Sequence, residues 1–480
     1  MQETIPHWLS KQADLAPDRI AIELDDGDTL TFKEMEERSK CFAKKLAQLN
    51  ISNGTHVGIL STNEIPMVIA VHALSYLGAV GVLLNVRLTA EEINYQLKDA
   101  EAKMLLTADH LKAETDNIQV DLIQSFSEID ELKEKKVTLC TELNLADTFT
   151  IIYTSGTTGF PKGVIHTYGN HWWSAVGSAL NLGIHENDKW LIPLPLFHVS
   201  GLSTLIKSVM YGMPVYLLEK FDEKMVHHAI MNKGVTIVSV VTVMLQRLLA
   251  SFDGKSYPES LRCFLLGGGP APKPLLEKCA VQNIPVFQSY GMTETASQIV
   301  TLSPENALKK IGSAGKALFP AQVKIMNPHA DSIGEIHVKG PMVTKGYLKN
   351  EEANRKALST GWLATGDLGY LDEDGFLYVS DRRNDLIISG GENIYPSEIE
   401  SVLTRMGQIK EVGVTGKEDE TWGNVPIAFI VKQTEVTTEE ILTFAREHLA
   451  KYKLPKEIHF IDELPRNASN KLVRSKLKGI

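Results

Sequence analysis

Across roughly the first 380 residues one theme recurs: a short β-branched or apolar run ends in a loop of Gly, Ser or Pro, and a helical pattern follows. Phe149–Tyr153 (FTIIY), Trp190–Leu194 (WLIPL), Cys263–Leu266 (CFLL) and Pro285–Ser289 (PVFQS) are four such runs. This grammar predicts an α/β fold in which the loops at strand ends are the natural ligand sites. Thr31 and Glu34 have capping-box spacing, with Phe32, Met35, Phe42, Leu46 and Leu49 on one face of the helix that follows. After about Asp381 the texture changes to a smaller α+β pattern: a helix from Pro396 to about Met406, strands near 412–414 and 427–431, a helix over 438–451 capped by Thr437 and Glu440, and a strand over 458–461. The expected organisation is a large N-terminal multi-sheet α/β domain (1–381), a hinge (382–384) free of Gly/Ser linker character, and a smaller mobile α+β domain (385–480). The length of 480 residues leaves room for about three globular units.

A formal charge of −10 argues against nucleic acid or an anionic membrane as partner, so any phosphate must be held by a local arrangement. Cys41, Cys140, Cys263 and Cys279 lack disulfide-scaffold or zinc spacing and read as reduced thiols. The N-terminus has no signal-like apolar core, so a cytoplasmic protein is expected. The uncharged stretch Met67–Leu84 reaches the lower limit of membrane-spanning length. It divides more naturally into a buried helix through about Leu77 and a strand ending near Asn85, so no membrane insertion is expected.

The string TSGTTGFPKG, Thr154–Gly163, combines three glycines, four hydroxyls and Lys162. Glycine permits close backbone approach, and hydroxyls with a lysine suit a polyphosphate. The spacing is not that of a Walker A loop, which disfavours a P-loop GTPase. Four further strings follow in order: QSYGMTET (288–295), TGDLG (365–369), DRRNDLIISGGENIYP (381–396) and NASNKL (467–472). Together these five resemble the motifs of the adenylate-forming superfamily of acyl-CoA synthetases, luciferases and nonribosomal peptide adenylation domains.

That resemblance implies ATP, Mg²⁺ and coenzyme A as reactants or cofactors, and a small carboxylic acid as substrate. Thr154, Ser155, Gly156, Thr157, Thr158, Gly159 and Lys162 would cradle phosphates, and Glu294 would ligate the magnesium. Tyr290, within the stretch that includes Gly291 and Thr293, would be an adenine platform; read alone, a tyrosine there is more often core packing. Asp367 would take the ribose, Arg382 the sugar or phosphate, and Lys471 the charge that gathers during adenylation. His198 would line the carboxylate end of the acid pocket, as in the acyl-CoA ligase branch. Gly390 and Gly391 would admit coenzyme A after the small domain rotates about the hinge at Asn384. Asn384 and Asn470 depart from the residues usual at those positions.

Longer strings, such as LPLFHVSGLSTLIKSVMYG (194–212), narrow the resemblance to ligases of an aromatic acid carrying a second carboxylate. Another aryl or short acyl acid, and carrier-protein adenylation, stay open. Ser297 and Gln298, with Thr293, are candidate donors to the second carboxylate, and Lys207 is a candidate distant charge for it, although a lysine there more often lies on the surface. The adjacent His227 and His228 cannot face one metal and are given no role. A homo-oligomer is compatible with the sequence.

Overall fold

A computed structural model describes residues 3–154, 161–252, 256–269, 271–328, 333–358, 361–381, 386–466 and 472–479. The calls at Ser155, Gly156, Thr157, Thr158, Gly159, Arg382, Asn384, Asn470 and Lys471 therefore lie outside the described residues.

Two sheets dominate the region before residue 381. A seven-stranded sheet runs, edge to edge, Gly346–Tyr347, Lys162–Thr167, Thr148–Thr154, Val80–Leu84, His56–Leu60, Met104–Thr107 and Ile123–Ser125. Its pairings from Thr148–Thr154 onward are parallel. A 13-stranded sheet contains six parallel strands, Val286–Met292, Cys263–Gly267, Ile237–Val241, Trp190–Ile192, Val215–Leu217 and Ile20–Leu24. Beyond Val286–Met292 the same sheet continues antiparallel through Ser297–Leu302, Ser313–Ala317, Leu377–Asp381, Leu363–Leu371, Gly334–Lys339 and Gln322–Met326. The repeating strand–loop–helix theme thus stops short of residue 381. Short connections replace crossover helices there, and short connections can join antiparallel neighbours alone.

The phosphate string also departs from the strand-to-helix pattern, because its two flanks pair antiparallel with Thr154 opposite Lys162. Met67–Leu84 divides as its composition dictates, into the buried helix Ile65–Leu77 and the buried strand Val80–Leu84, with Gly78 at φ +65° ending the helix. No described helix is long and apolar enough to cross a membrane. The capping boxes at Thr31/Glu34 and Thr437/Glu440 are both formed.

The C-terminal part has its own sheet and its own core. Ile409–Asp419, Gly423–Lys432, Ile387–Ser389 and Glu392–Ile394 pair antiparallel in sequence along the sheet, and Glu457–Phe460 joins Gly423–Lys432 in parallel. Helices Pro396–Leu403 and Thr438–His448 cover it, with Ile399, Leu403, Val414, Ile430, Ile441 and Ala445 buried between the layers. The long hairpin is much larger than the two short strands expected, since the sequence signal at its ends is polar (Lys417–Asp419, Gly423–Asn424) and mostly solvent-facing.

Candidate active site

The carboxyl ends of the parallel strands of the larger sheet open on a cavity of about 650 Å³. Leu194, Pro195, Phe197, His198, Val241, Gly267, Gly268, Ser289, Gly291 and Met292 line it from below, in the position such sheets favour for ligands. Thr154 and Lys162 reach it from the smaller sheet, and Gly390, Gly391 and Glu392 reach it from the C-terminal domain.

At one end the cavity gathers the charged side chains of Glu294, Lys162 and Asp367. Glu294 is half-buried in the cavity wall, and this burial pushes its carboxyl above the ordinary range, partly offset by a 2.8 Å hydrogen bond donated by the Tyr347 hydroxyl. The Lys162 ammonium lies 5.3 Å from the centre of the Tyr347 ring, a cation–π distance, and its charge also steadies Glu294. The backbone beneath is clamped twice. The Thr344 amide donates to the Glu294 carbonyl at 2.7 Å, and His166 Nε2 donates to the Thr293 carbonyl at 2.6 Å. Gly291, Thr293, Thr365 and Asp367 share this wall.

Tyr290 does not. Its ring is buried in a core with Ile299, Val300, Ile336 and Val338, and its hydroxyl donates to Asp367 Oδ2 at 2.8 Å. The expected adenine platform is corrected to a support behind Asp367; its strand neighbours Ser289 and Gly291 face the cavity instead, following the two-residue period of a strand.

The other end is built on the helix Val199–Tyr211, with His198 as its N-cap. The loop before it is fixed by Asn63, a buried side chain that donates to the Leu194 and Leu218 carbonyls at 3.0 Å each and accepts from the Leu196 amide at 2.8 Å. Nothing in the sequence marks Asn63. Gly201 lies so close under this loop that a methyl group would be driven into the Pro195 carbonyl. Gly201→Ala is therefore expected to destabilise the fold by about 1–3 kcal/mol, as overpacking does, and to lower kcat/KM by displacing His198. Calorimetry paired with a steady-state activity assay checks both effects.

Ser200, Thr204 and Lys207, spaced i, i+4 and i+7, present one polar stripe of this helix to the cavity. Lys207 is not on the surface, as its type suggested; it is 2% exposed. Among the described residues its ammonium has no hydrogen-bond or ion-pair partner, and burial lowers its pKa from 10.5 to about 7. Ser297 and Gln298 line the same space. Ser297 is held at φ +118° and its carbonyl accepts from Thr295 Oγ1 at 2.6 Å; Gln298 is buried with its Oε1 unpartnered among the described residues.

The C-terminal domain closes the cavity with Glu392. Its carboxylate accepts from His198 Nε2 at 3.1–3.2 Å, from Arg87 Nη1 at 3.1 Å and from Asn85 Nδ2 at 3.3 Å. Burial alone would raise its pKa, but the His198 and Arg87 charges outweigh it and hold the carboxyl below the ordinary range. Gly390 and Gly391 precede it at φ +58° and +91°, and any side chain at Gly390 would meet the Trp422 ring. His227 does not line this cavity and pairs with Ser251 at 3.0 Å and Tyr257 at 2.9 Å.

Residues 9–348 match the family model of the AMP-binding enzyme, and residues 398–471 match that of the AMP-binding enzyme C-terminal domain. The chain is 60% identical to a 2-succinylbenzoate–CoA ligase of Oceanobacillus iheyensis, over 99% of this chain and 100% of that protein. Among solved structures it resembles a double mutant of o-succinylbenzoate CoA synthetase from Bacillus subtilis bound with its product analogue OSB-NCoA, with TM-score 0.95, 50% identity, and coverage of 100% of this chain and 99% of that one. The same Bacillus subtilis enzyme in complex with the acyl-adenylate intermediate OSB-AMP gives a TM-score of 0.77 at 50% identity, over 99% of this chain and 98% of that one. Matched by both family models and by a relative of equal length, the chain belongs to the AMP-binding enzyme family.

Proposed function

We propose that the chain is an AMP-forming acid–CoA ligase that converts o-succinylbenzoate, ATP and coenzyme A into o-succinylbenzoyl-CoA, AMP and pyrophosphate, in the cytoplasm. In the first step a carboxylate oxygen of the acid attacks the α-phosphorus of ATP and the bond to pyrophosphate breaks. In the second the coenzyme A sulfur, its proton lost, attacks the acyl carbonyl and AMP departs.

The observation that carries the choice of acid is Lys207. A buried ammonium without a partner among the described residues is costly, and a ligand carboxylate is the partner that would relieve it. It lies on the same helix as His198, nine residues or about 13 Å of rise further along, so a substrate with a carboxylate near each end suits this wall. Ser200, Thr204 and Gln298 supply hydrogen-bonding groups between them.

Glu294 fits a magnesium ion: it is a hard oxygen donor facing the cavity, and Mg²⁺ ordinarily takes one or two carboxylates with substrate phosphates and water. When bound, the ion would neutralise charge on the phosphates. Lys162 adds a fixed positive charge beside it, and Asp367, braced by Tyr290, offers oxygens to the ribose hydroxyls. Glu392, locked to His198 and Arg87, supports assignment of the present arrangement to the thioester-forming step, with Gly390 and Gly391 at the thiol's entrance. Lys471, Arg382 and Asn384 complete the proposal as adenylation lysine, nucleotide contact and hinge.

The test is AMP release with a panel of aryl and short acyl acids in the presence of ATP, Mg²⁺ and coenzyme A. Thioester from another acid and none from o-succinylbenzoate would overturn the assignment. Lys471→Ala is expected to cripple adenylation far more than thioester formation from supplied acyl-adenylate; equal losses would count against two arrangements of the small domain.

A further inference from the structure

The first turn of the helix Ala90–Asp99, in the large domain, meets the C-terminal domain through two adjacent carboxylates. Glu92 divides its two oxygens between two duties. Oε2 accepts from the Thr89 amide at 2.8 Å and the Thr89 hydroxyl at 3.0 Å, closing the helix cap, while Oε1 accepts from Lys453 Nζ at 2.6 Å. Lys453 also donates to Glu398 Oε1 at 2.7 Å, within its own domain. All three side chains are sealed from solvent, with Glu92 9%, Lys453 3% and Glu398 4% exposed. Next to them Glu91 makes the exposed counterpart, pairing with Arg405 at 2.9 Å and His448 at 3.7 Å.

We infer that Glu92 is a positioning residue for the thioester-forming half-reaction: with Lys453 it makes a buried, cross-domain charge lock that fixes the small domain where Glu392, Gly390 and Gly391 enter the cavity. It presupposes the acid–CoA ligation proposed above. Burial gives the lock its selectivity. Exposed ion pairs such as those of Glu91 contribute little and tolerate loose geometry. A buried pair must be made well or not at all, because a half-made one leaves a charge stranded away from water. Glu398 already has one oxygen without a partner among the described residues, so the ammonium is shared by two carboxylates and cannot satisfy Glu398 fully while Glu92 holds it. When the small domain turns away, Lys453 and Glu398 leave together and Glu92 keeps its cap, so each part regains water and the contact is reversible. The lock touches the same cavity from its far side, since Glu398, Tyr452 and Lys453 also line it.

Glu92→Gln separates the two duties. Glutamine serves as well in a capping box, its carbonyl accepting from Thr89, which turns its NH₂ group toward the Lys453 ammonium. Two half-reactions are then measured apart in the full chain: pyrophosphate release from ATP and acid without coenzyme A, and thioester formation from supplied acyl-adenylate and coenzyme A. Thioester formation should fall at least about tenfold, with pyrophosphate release within about twofold of the parent, because the penalty arises in one domain arrangement. Glu91→Gln, which removes exposed pairs, should stay within about twofold in both. Equal losses in both half-reactions for Glu92→Gln, including loss through unfolding, or no loss in either, would overturn the lock. Should the parent chain make thioester from a different acid, the split is read with that acid, so the two proposals fail separately.

Discussion

Replacing Lys207 with methionine should raise the thermal midpoint of the free protein and, at the same time, raise KM for a dicarboxylic acid by roughly two orders of magnitude. Both effects have one origin. The ammonium is buried without a partner among the described residues, so a methionine of similar length removes a desolvated charge and gains packing, an exchange that often stabilises by about 1–4 kcal/mol. With substrate bound the same ammonium would sit against a carboxylate, and its removal leaves that carboxylate stranded. A monocarboxylic acid should bind the variant almost as well as the parent, which separates loss of a charge contact from general damage to the cavity. The pH dependence follows. The folded pKa, about 7, is below the unfolded value near 10.5, so between these values the unfolded chain holds a proton the folded one lacks. Stability of the free protein therefore rises with pH across that window and is lost again as pH falls through it, levelling off below about 7. Lys207→Met should abolish that rise in a calorimetric series. In the parent, kcat/KM for the dicarboxylic acid should fall as pH climbs above about 7, where the free enzyme loses the charge.

Glu294→Gln should reduce adenylation by about 10²–10³-fold while leaving thioester formation from supplied acyl-adenylate nearly intact. The substitution keeps size and shape, and the turn around it is held by backbone contacts from Thr344 and His166 that do not involve the side chain. What disappears is a hard anionic donor. The magnesium concentration needed for half-maximal pyrophosphate release should therefore rise, and a stopped-flow magnesium titration reads it directly.

Much of this site could be read in the sequence because its residues occur in short strings whose chemistry is local. A run such as QSYGMTET puts Gly291, Thr293 and Glu294 on one strand end whatever the rest of the chain does. The split of Met67–Leu84 and the two capping boxes were legible for the same reason. Tyr290 was misjudged because one step along a strand exchanges cavity for core, and residue type does not say which. Lys207 was misjudged by the general rule that lysines are exposed, a rule that fails where a helix must show one polar stripe to an enclosed space. Asn63 and Tyr347 were invisible: each acts over more than 50 residues of sequence, on Leu194–Leu196 and on Glu294, and neither sits in a patterned string. The antiparallel half of the large sheet was hidden too, since the strand–helix theme says nothing about where crossovers end.

Asn63 also bears on how the large domain holds together. It follows a strand of the seven-stranded sheet, yet its three hydrogen bonds go to Leu194, Leu196 and Leu218, which follow strands of the 13-stranded one. Pulling the sheets apart would orphan buried donors and acceptors on both sides at once. Two sheets could open as separate units, but this amide couples the opening of one to the opening of the other. The acid pocket is thereby tied to a shared unfolding event and cannot loosen piecemeal.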